Sequence, residues 1–324
     1  MKVHGFTEVV VSVENTKRLR NTLTKLANWS VTELPDAPAE QFTTWKVPDN
    51  CERIEQLLLT AENDDNGHIR VVKFHGCEAE SKIMRSSQRS WDTGGIFNID
   101  VYVNDLDSIY RELQREGWTG MGDPVDYDWG GFSVREAVGI SPDGITVGML
   151  QPYGKILIDL PEFKHMSRAF VSAQIVSDYD ATMSFFMDKL GWKPLVDTVV
   201  KDMAEPGQEV LGIPSPLAYS VERKVSIMHP DGMNDGAVEL IEMSELKGRD
   251  FREDCVAPNI GYLALRFPVD DLTSYAAELS SRDVEFYTEI TDVFIAPIGQ
   301  CQCFSVRTPD GVILEFYETS NSEA

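Results

Sequence analysis

Side chains able to do chemistry are few in this chain of 324 residues, and they follow no familiar catalytic spacing. Its five cysteines are scattered, and an odd number does not suit a disulfide framework. Cys301 and Cys303 form a C-x-C pair on one face of a predicted strand, but no second pair stands at the spacing of a zinc site. We therefore expect reduced thiols in a cytoplasmic protein.

Composition and motifs exclude several classes of partner. The sequence has no glycine-rich phosphate loop and no G-x-S-x-G nucleophile elbow. A formal net charge of −24 repels phosphates and anionic lipid, so neither nucleic acid nor a membrane is an expected partner. The apolar runs are strand-sized, and no apolar signal stretch opens the chain. We interpret the charge as a solubility device, with the steering of a cationic ligand as the alternative.

An alternating strand, an Asp or Asn residue and an amphipathic helix follow one another four times. The Asp or Asn side chain can accept a hydrogen bond from a free N–H of the first helical turn, which fixes where each helix begins. The predicted helix caps are Asn15, Asp105, Asp178 and Asp271. Each helix is followed by a short break and further strand-like segments, so the pattern predicts one helix and about four strands per module.

The second half of the chain repeats the first. Asn15 and Asp178 are 163 residues apart, and Pro142 and Pro309 of two Pro-Asp-Gly turns are 167 apart. A shared offset across separate markers indicates an internal duplication. Each half then holds two modules, and the fold class is α+β.

These segments resemble the vicinal-oxygen-chelate superfamily, which includes glyoxalases, bleomycin-resistance proteins and extradiol dioxygenases. The resemblance rests on the capped strand–helix pattern, on Leu190-Gly191-Trp192, and on the Pro-Asp-Gly strand at residues 308–317. It implies four βαβββ modules paired into two eight-stranded open-barrel (glyoxalase-like) domains, each holding a small-molecule ligand on its concave side. The domains implied are residues 1–152 and 167–324, joined by a linker at 153–166.

The resemblance also implies metal ligands on the first and last strands of each module. Glu8 falls at such a position in the first module, whereas the second module has Asn98 at the first-strand position and Gly148 at the last. By strand alternation Asp100 points into the same concavity. Glu8, Asn98 and Asp100 are therefore predicted to bind ligand, but the site of the first domain is expected to be degenerate.

The second domain keeps more of the implied donors. Glu239 and Glu315 match the last-strand carboxylates and are the predicted metal ligands, for Fe, Mn, Ni or Zn. Gln174 is a third candidate donor if its strand contains a bulge. Val171 and Tyr262 stand where an extradiol dioxygenase would have histidine, which argues against ring cleavage.

Two functional interpretations remain open. In the first, a metal on Glu239 and Glu315 polarises a substrate carbonyl while Glu315 or Tyr262 moves a proton, as in a glyoxalase-type isomerase or lyase. In the alternative, a binding or sequestration protein of the bleomycin-resistance type has no metal. Arg266 then neutralises the carboxylates, and Tyr317 helps to hold an aromatic or cationic ligand. A divalent metal and no cofactor are predicted equally, as are monomer and homodimer; a third possibility is that the repeat serves assembly.

Overall fold

The computed structural model of the chain contains four units of the same kind. Residues 2–83, 89–129, 132–154, 156, 158–200, 210–218 and 220–320 are described. Each unit has a main helix that begins at the predicted cap. The four cap side chains each accept a hydrogen bond from a backbone N–H in the first turn: Asn15, Asp105, Asp178 and Asp271. The prediction of four modules is confirmed.

The helices and strands of the first two modules alternate as expected. The elements of the first module are β1 (Glu8–Ser12), α1 (Thr16–Thr22), β2 (Ser30–Glu33), α2 (Ala39–Thr44), β3 (Arg53–Thr60) and β4 (His68–His75). The elements of the second are β5 (Ile96–Val103), α3 (Leu106–Arg115), β6 (Thr119–Gly120), β7 (Val125–Trp129), β8 (Phe132–Ile140) and β9 (Thr146–Pro152). Helix α1 continues into a π-helical turn at Leu23–Ala27.

The third and fourth modules repeat this order. The elements of the third module are β10 (Met166–Ile175), α4 (Tyr179–Ser184), β11 (Lys193–Val200), α5 (Ser215–Ala218), β12 (Arg223–His229) and β13 (Ala237–Met243). The elements of the fourth are β14 (Gly261–Pro268), α6 (Leu272–Ser281), β15 (Phe286–Ile295), β16 (Gly299–Arg307) and β17 (Ile313–Thr319). Among the described residues, no helix combines the length and the apolar character needed to cross a membrane.

The strands form two large sheets, as predicted, but the modules pair differently. The sheet here called the terminal sheet joins the first and fourth modules in the order β15-β16-β17-β14-β1-β4-β3-β2. The central sheet joins the second and third modules in the order β11-β12-β13-β10-β5-β9-β8-β6, with β7 as a ninth strand beside β8. Both are built around an antiparallel pair of first strands, β1 with β14 and β5 with β10.

The predicted division into domains of residues 1–152 and 167–324 is therefore wrong as a description of the sheets. Each half of the chain supplies one module to each sheet, because β4 and β5 lie in different sheets, and so do β13 and β14. Segments that precede β5 and β14 run side by side, with the backbone N–H of Thr93 donating to Arg249 and that of Phe251 donating to Thr93. The linker expected at 153–166 falls between β9 and β10, which both lie in the central sheet, and its last residue, Met166, begins β10.

One large core holds the two sheets together. The largest cluster of buried apolar side chains includes Val9 and Leu265 of the terminal sheet, Ile99 and Leu240 of the central sheet, and residues of the four main helices. Polar contacts add to it: the Asp310 carboxylate, in a Pro-Asp-Gly turn, accepts hydrogen bonds from Ser177 and Thr182 in the third module. The helix-bearing faces of both sheets are buried together, which leaves the opposite faces for function.

Candidate functional site

The face of each sheet that points away from the helices is called its hollow below. On β1, Val9 and Val11 belong to the shared core, whereas Val10 packs with apolar residues on the other face. Glu8 shares the hollow side with Val10, as strand alternation predicts. The predicted orientation of this strand is confirmed.

The hollow of the terminal sheet contains two glutamates and two arginines in direct contact. Arg70 on β4 donates from Nε and Nη2 to the two carboxylate oxygens of Glu8, at 2.7 and 2.9 Å. Arg266 on β14 donates from Nη1 to the same Glu8 and from Nε to Glu315 on β17, the latter at 2.6 Å. The four side chains are at most 2% exposed, so this ionic cluster is fully enclosed.

Neighbouring groups satisfy the rest of the ionic cluster. Trp45, which follows α2, donates its indole N–H to Glu315 at 2.7 Å and is itself fully buried. Arg70 also donates to the Gln56 side chain at 2.7 Å and to the Ala296 carbonyl at 2.6 Å. The residue after α2 and the connection between β15 and β16 therefore close this hollow.

The charges in the ionic cluster stabilise one another. Burial raises the pKa of Glu8, but the adjacent Arg70 and Arg266 lower it by a larger amount, so the net pKa is about 2. Burial lowers the pKa of Arg266, yet Glu315 and Glu8 outweigh it and the net shift is upward. Glu8 and Arg266 therefore stay charged across the physiological range.

The hollow of the central sheet is built from the same strand positions but contains different residues. Asp100 on β5 lies beside Gly148 on β9, and Asn98 donates a hydrogen bond from its amide to the Asp100 carboxylate. A Cβ atom at Gly148 would lie 2.1 Å from Asp100 Oδ1 and 2.6 Å from Asn98 Nδ2. The Asp100 carboxylate thus occupies the space that a side chain on β9 would need.

Two further carboxyl groups face this hollow. Glu239 on β13 and Asn98 both pair with Ala173 on the intervening strand, which places them on one face. Glu136 on β8 lies between Val134 and Val138, which both pack on the hollow side. Glu239 is partly buried, and Asn98 and Asp100 are buried. The floor of the hollow is therefore acidic.

Two of these carboxyl groups, those of Asp100 and Glu239, resist ionisation. Burial raises the pKa of Asp100 well above its usual value, and the charges of Glu239 and Glu136 raise it further. Burial also raises the pKa of Glu239, with a contribution from Glu136, to about 8. Among the described residues neither Asp100 nor Glu239 forms a salt bridge. Both groups therefore hold their protons more tightly than an exposed carboxyl group does.

Apolar walls stand at both ends of the acidic floor. At one end, Phe97 and Ile175 pack with residues around α5, including Leu211 and Ile213. At the other end, Tyr102 stacks on Phe170 with ring centroids 4.4 Å apart, beside Ile156, Ile158, Leu160 and Phe163. A small polar floor between apolar and aromatic walls is the usual composition of a small-molecule site.

The donors of the two hollows differ in how they suit a divalent metal. In the terminal sheet the carboxylates are already paired with guanidinium groups, so this hollow does not fit a metal. In the central sheet, Asn98 Oδ1 is buried without a hydrogen-bond partner in the described structure, beside the two carboxyl groups. Nowhere in the described ranges do three His, Cys, Asp or Glu side chains form a metal-binding group. This oxygen set suits a weakly held hard cation better than tightly bound Fe, Ni or Zn.

A separate cleft of about 440 Å³ opens beside the terminal sheet. Its lining includes Ser12, Phe74 and the exposed salt bridge between Lys82 and Glu14. The Lys82 and Glu14 side chains in this cleft are paired with each other and half-exposed. We therefore place the candidate site on the acidic floor, where Asp100 and Glu239 form no salt bridge with any described residue.

Comparison with known proteins agrees with this architecture. A family model described as Glyoxalase/Bleomycin resistance protein/Dioxygenase superfamily matches residues 165–316. The match covers 152 of the 324 residues and spans the third and fourth modules. Glyoxalase I from Zea mays superposes with a TM-score of 0.61 at 13% identity, over 97% of this chain and 92% of that chain. A putative dioxygenase from Bacillus subtilis gives 0.59 at 10% identity, over 98% and 86%. At these identities the structures share the fold alone, and no curated protein is significantly similar in sequence.

Two residues predicted to face a superfamily site point the other way. A bulge between Val10 and Val11 shifts the pairing of β14, so Tyr262 lies in the shared core and donates to the Thr146 carbonyl of the central sheet. Gln174 pairs with Leu240, a residue of the same core, and is fully buried on the helix side. The prediction that Tyr262 and Gln174 line a concave site is wrong.

The predicted metal pair is also wrong as a pair. Glu239 lies on the central sheet and Glu315 on the terminal sheet, so no hollow contains both. The error follows from the assumption that consecutive modules share a sheet. Tyr317 does face the terminal hollow, where its hydroxyl is 3.2 Å from Thr7 Oγ1. Arg266 neutralises Glu315, as the metal-free interpretation expected, but its second partner is Glu8.

Sequence reasoning missed the residues that decide the state of each hollow. Arg70 lies within an apolar strand, on the same face as Val72. A lone arginine on such a buried face indicates a buried acidic partner, which here is Glu8. Trp45 and Glu136 carried no comparable signal, because their roles depend on how α2 and β8 pack over residues distant in sequence.

Proposed function

We propose that the protein binds a small molecule in the hollow of the central sheet, on the floor formed by Asp100, Asn98 and Glu239. The supporting observation is that two of the carboxyl groups facing this hollow, those of Asp100 and Glu239, form no salt bridge within the described ranges. Carboxyl groups removed from water require a partner or a proton. A ligand with a cationic or hydrogen-bond-donating group would supply that partner.

The ligand class follows from the floor and its walls. The buried Asn98 Oδ1 and the carboxyl oxygens accept hydrogen bonds, and a bound cation would lower the raised pKa of the two carboxyl groups so that they ionise beside it. The aromatic wall of Tyr102 and Phe170 suits an apolar or aromatic body. The net charge of −24 raises the local concentration of cations. We therefore propose a small organic cation or amine with an apolar portion, bound without a tightly held metal.

Proton transfer on a bound substrate is the second candidate. Its support is the pKa of Glu239, about 8, which suits a general acid–base group near neutral pH. Glu239 would then take a proton from a substrate carbon and return it to a neighbouring position, as an isomerase requires. A divalent ion held by Asp100, Asn98 and Glu239 would act as a Lewis acid on a substrate oxygen.

The binding proposal can be tested by calorimetry and thermal shift with phenyltrimethylammonium as the probe. The wild type should bind the probe at a single site. The Asp100→Asn and Glu239→Gln variants should each weaken binding at least about tenfold, since each removes one charge interaction. Glu242→Gln is the matched control, because Glu242 lies on the same strand but on the opposite face. Equal affinity in all four proteins would contradict the proposal.

The second candidate needs a different readout. In deuterated water, Glu239 would exchange the proton next to a carbonyl of a bound α-hydroxyketone probe, such as dihydroxyacetone. Mass spectrometry should show deuterium uptake faster with the wild type than with Glu239→Gln. Uptake at the same rate in both proteins would remove this candidate without affecting the binding proposal.

A further inference from the structure

We infer that the ionic cluster of Glu8, Arg70, Arg266 and Glu315 has replaced ligand and metal binding in the terminal hollow. This inference does not depend on what the central hollow binds. Two residues of the ionic cluster, Glu8 and Glu315, stand at the strand positions where the resemblance implied metal ligands.

The geometry of the ionic cluster leaves no acceptor free for a metal. Both oxygens of Glu8 accept from Arg70, and one also accepts from Arg266. One oxygen of Glu315 accepts from Arg266 and the other from Trp45. A divalent ion could bind these carboxylates only by displacing guanidinium groups that have no other charged partner in the hollow.

The charge of the ionic cluster also matches what a bound metal would supply. Two carboxylates facing each other in a buried hollow need two positive charges, and the two guanidinium groups provide them. Because guanidinium is planar and fixed, it cannot leave an open coordination position for a substrate. The substitution therefore removes chemistry from this hollow as well as the need for a metal.

The same contacts join the two ends of the chain. Glu8, Arg70 and Gln56 come from the first module, whereas Arg266, Glu315 and the Ala296 carbonyl come from the fourth. The ionic cluster thus crosslinks modules that are far apart in sequence. In this position, a former ligand site would serve to hold the terminal sheet together.

The inference can be tested on the full chain by measuring melting temperature with and without MnCl2, NiCl2 or ZnCl2. An Asp100→Asn/Glu239→Gln background removes the central carboxylates. In that background no ion should raise the melting temperature by more than about 1 °C, since a ligand stabilises only what it binds. An ion-induced rise that disappears on adding Glu8→Gln would overturn the inference, because it would place the ion in the terminal hollow.

Charge balance gives a second, independent readout. Glu8→Gln leaves two arginines facing one glutamate and should lower the melting temperature by roughly 10 °C. The Glu8→Gln/Arg70→Met double variant restores a one-to-one balance and should recover at least about half of that loss. Glu33→Gln, which breaks the exposed pair with Arg20, is the control and should change little.

A milder variant covers the case in which Glu8→Gln does not fold. Trp45→Phe removes only the indole N–H that donates to Glu315, and it should lower the melting temperature by a few degrees, about 3 to 6 °C. An unchanged melting temperature in Trp45→Phe, or a double variant less stable than Glu8→Gln, would show that the ionic cluster does not hold the sheet as inferred.

Discussion

The two hollows of this molecule place acidic residues at comparable strand positions and give them opposite partners. In the terminal hollow, Glu8 and Glu315 meet Arg70 and Arg266, and the pKa of Glu8 falls to about 2. In the central hollow, Asp100 and Glu239 meet other acids, and the pKa of Glu239 rises to about 8. The fold sets where the carboxyl groups lie, and the presence or absence of a basic neighbour decides between a crosslink and a binding site.

The largest expected effect comes from neutralising Glu315, the second carboxylate of the ionic cluster. Glu315→Gln leaves Arg266 with one carboxylate instead of two, in a site closed to water. We expect the free energy of unfolding to fall by about 3–5 kcal/mol, the usual cost of removing one partner of a buried ion pair. Urea denaturation measures this free energy. The control is Glu318→Gln, because Glu318 lies on the same strand nearer its end. A loss below about 1 kcal/mol would mean that the ionic cluster in the terminal hollow does not stabilise the fold.

Modules could be counted from the sequence because caps and turns are local signals. Asn15, Asp105 and the Pro-Asp-Gly turns act within a few residues, so spacing alone located them. The pairing of modules could not be inferred in this way, because it depends on contacts between strands far apart in sequence, such as β1 with β14 and β5 with β10. Because the pairing was unknown, the sequence-based prediction wrongly placed Glu239 with Glu315 and did not place Glu8 beside Arg266. A bulge in β14 then reversed the predicted orientation of Tyr262.

Filling the central hollow should cost less than opening the terminal one. Gly148→Ala would place a methyl carbon against Asp100 and Asn98, so both side chains must shift. We expect a loss of about 1–3 kcal/mol, typical of overpacking, together with weaker binding of a cationic probe. Gly154→Ala is the control, since a Cβ there contacts nothing within 4 Å. Equal stability of both variants would show that Asp100 does not occupy the space above Gly148.

The two hollows should also respond to acid in opposite ways. The pKa of Glu8 is lower in the folded chain than its ordinary 4.5, so its contribution to stability is present above pH 4.5 and is lost as pH falls towards about 2. The pKa of Glu239 is raised, so the stability linked to its protonated form is present below pH 4.5 and is lost as pH rises through about 8.

Melting curves between pH 3 and 9 can separate these contributions. Compared with the wild type, Glu239→Gln should lose less stability between about pH 5 and 9, because the glutamine does not ionise. The expected difference is smaller than the effects above, since Glu239 is only partly buried. If the two proteins show the same decline with pH, the carboxyl group of Glu239 is ionised in the folded chain at neutral pH.

The most direct test is a carbon-13 NMR titration of the glutamate carboxyl groups, assigned with Glu8→Gln and Glu239→Gln. The account predicts that Glu239 titrates near pH 8 while Glu8 remains ionised down to about pH 3. Titration of both groups near their ordinary value of 4.5 would contradict it, because the two hollows would then hold their acids in the same state.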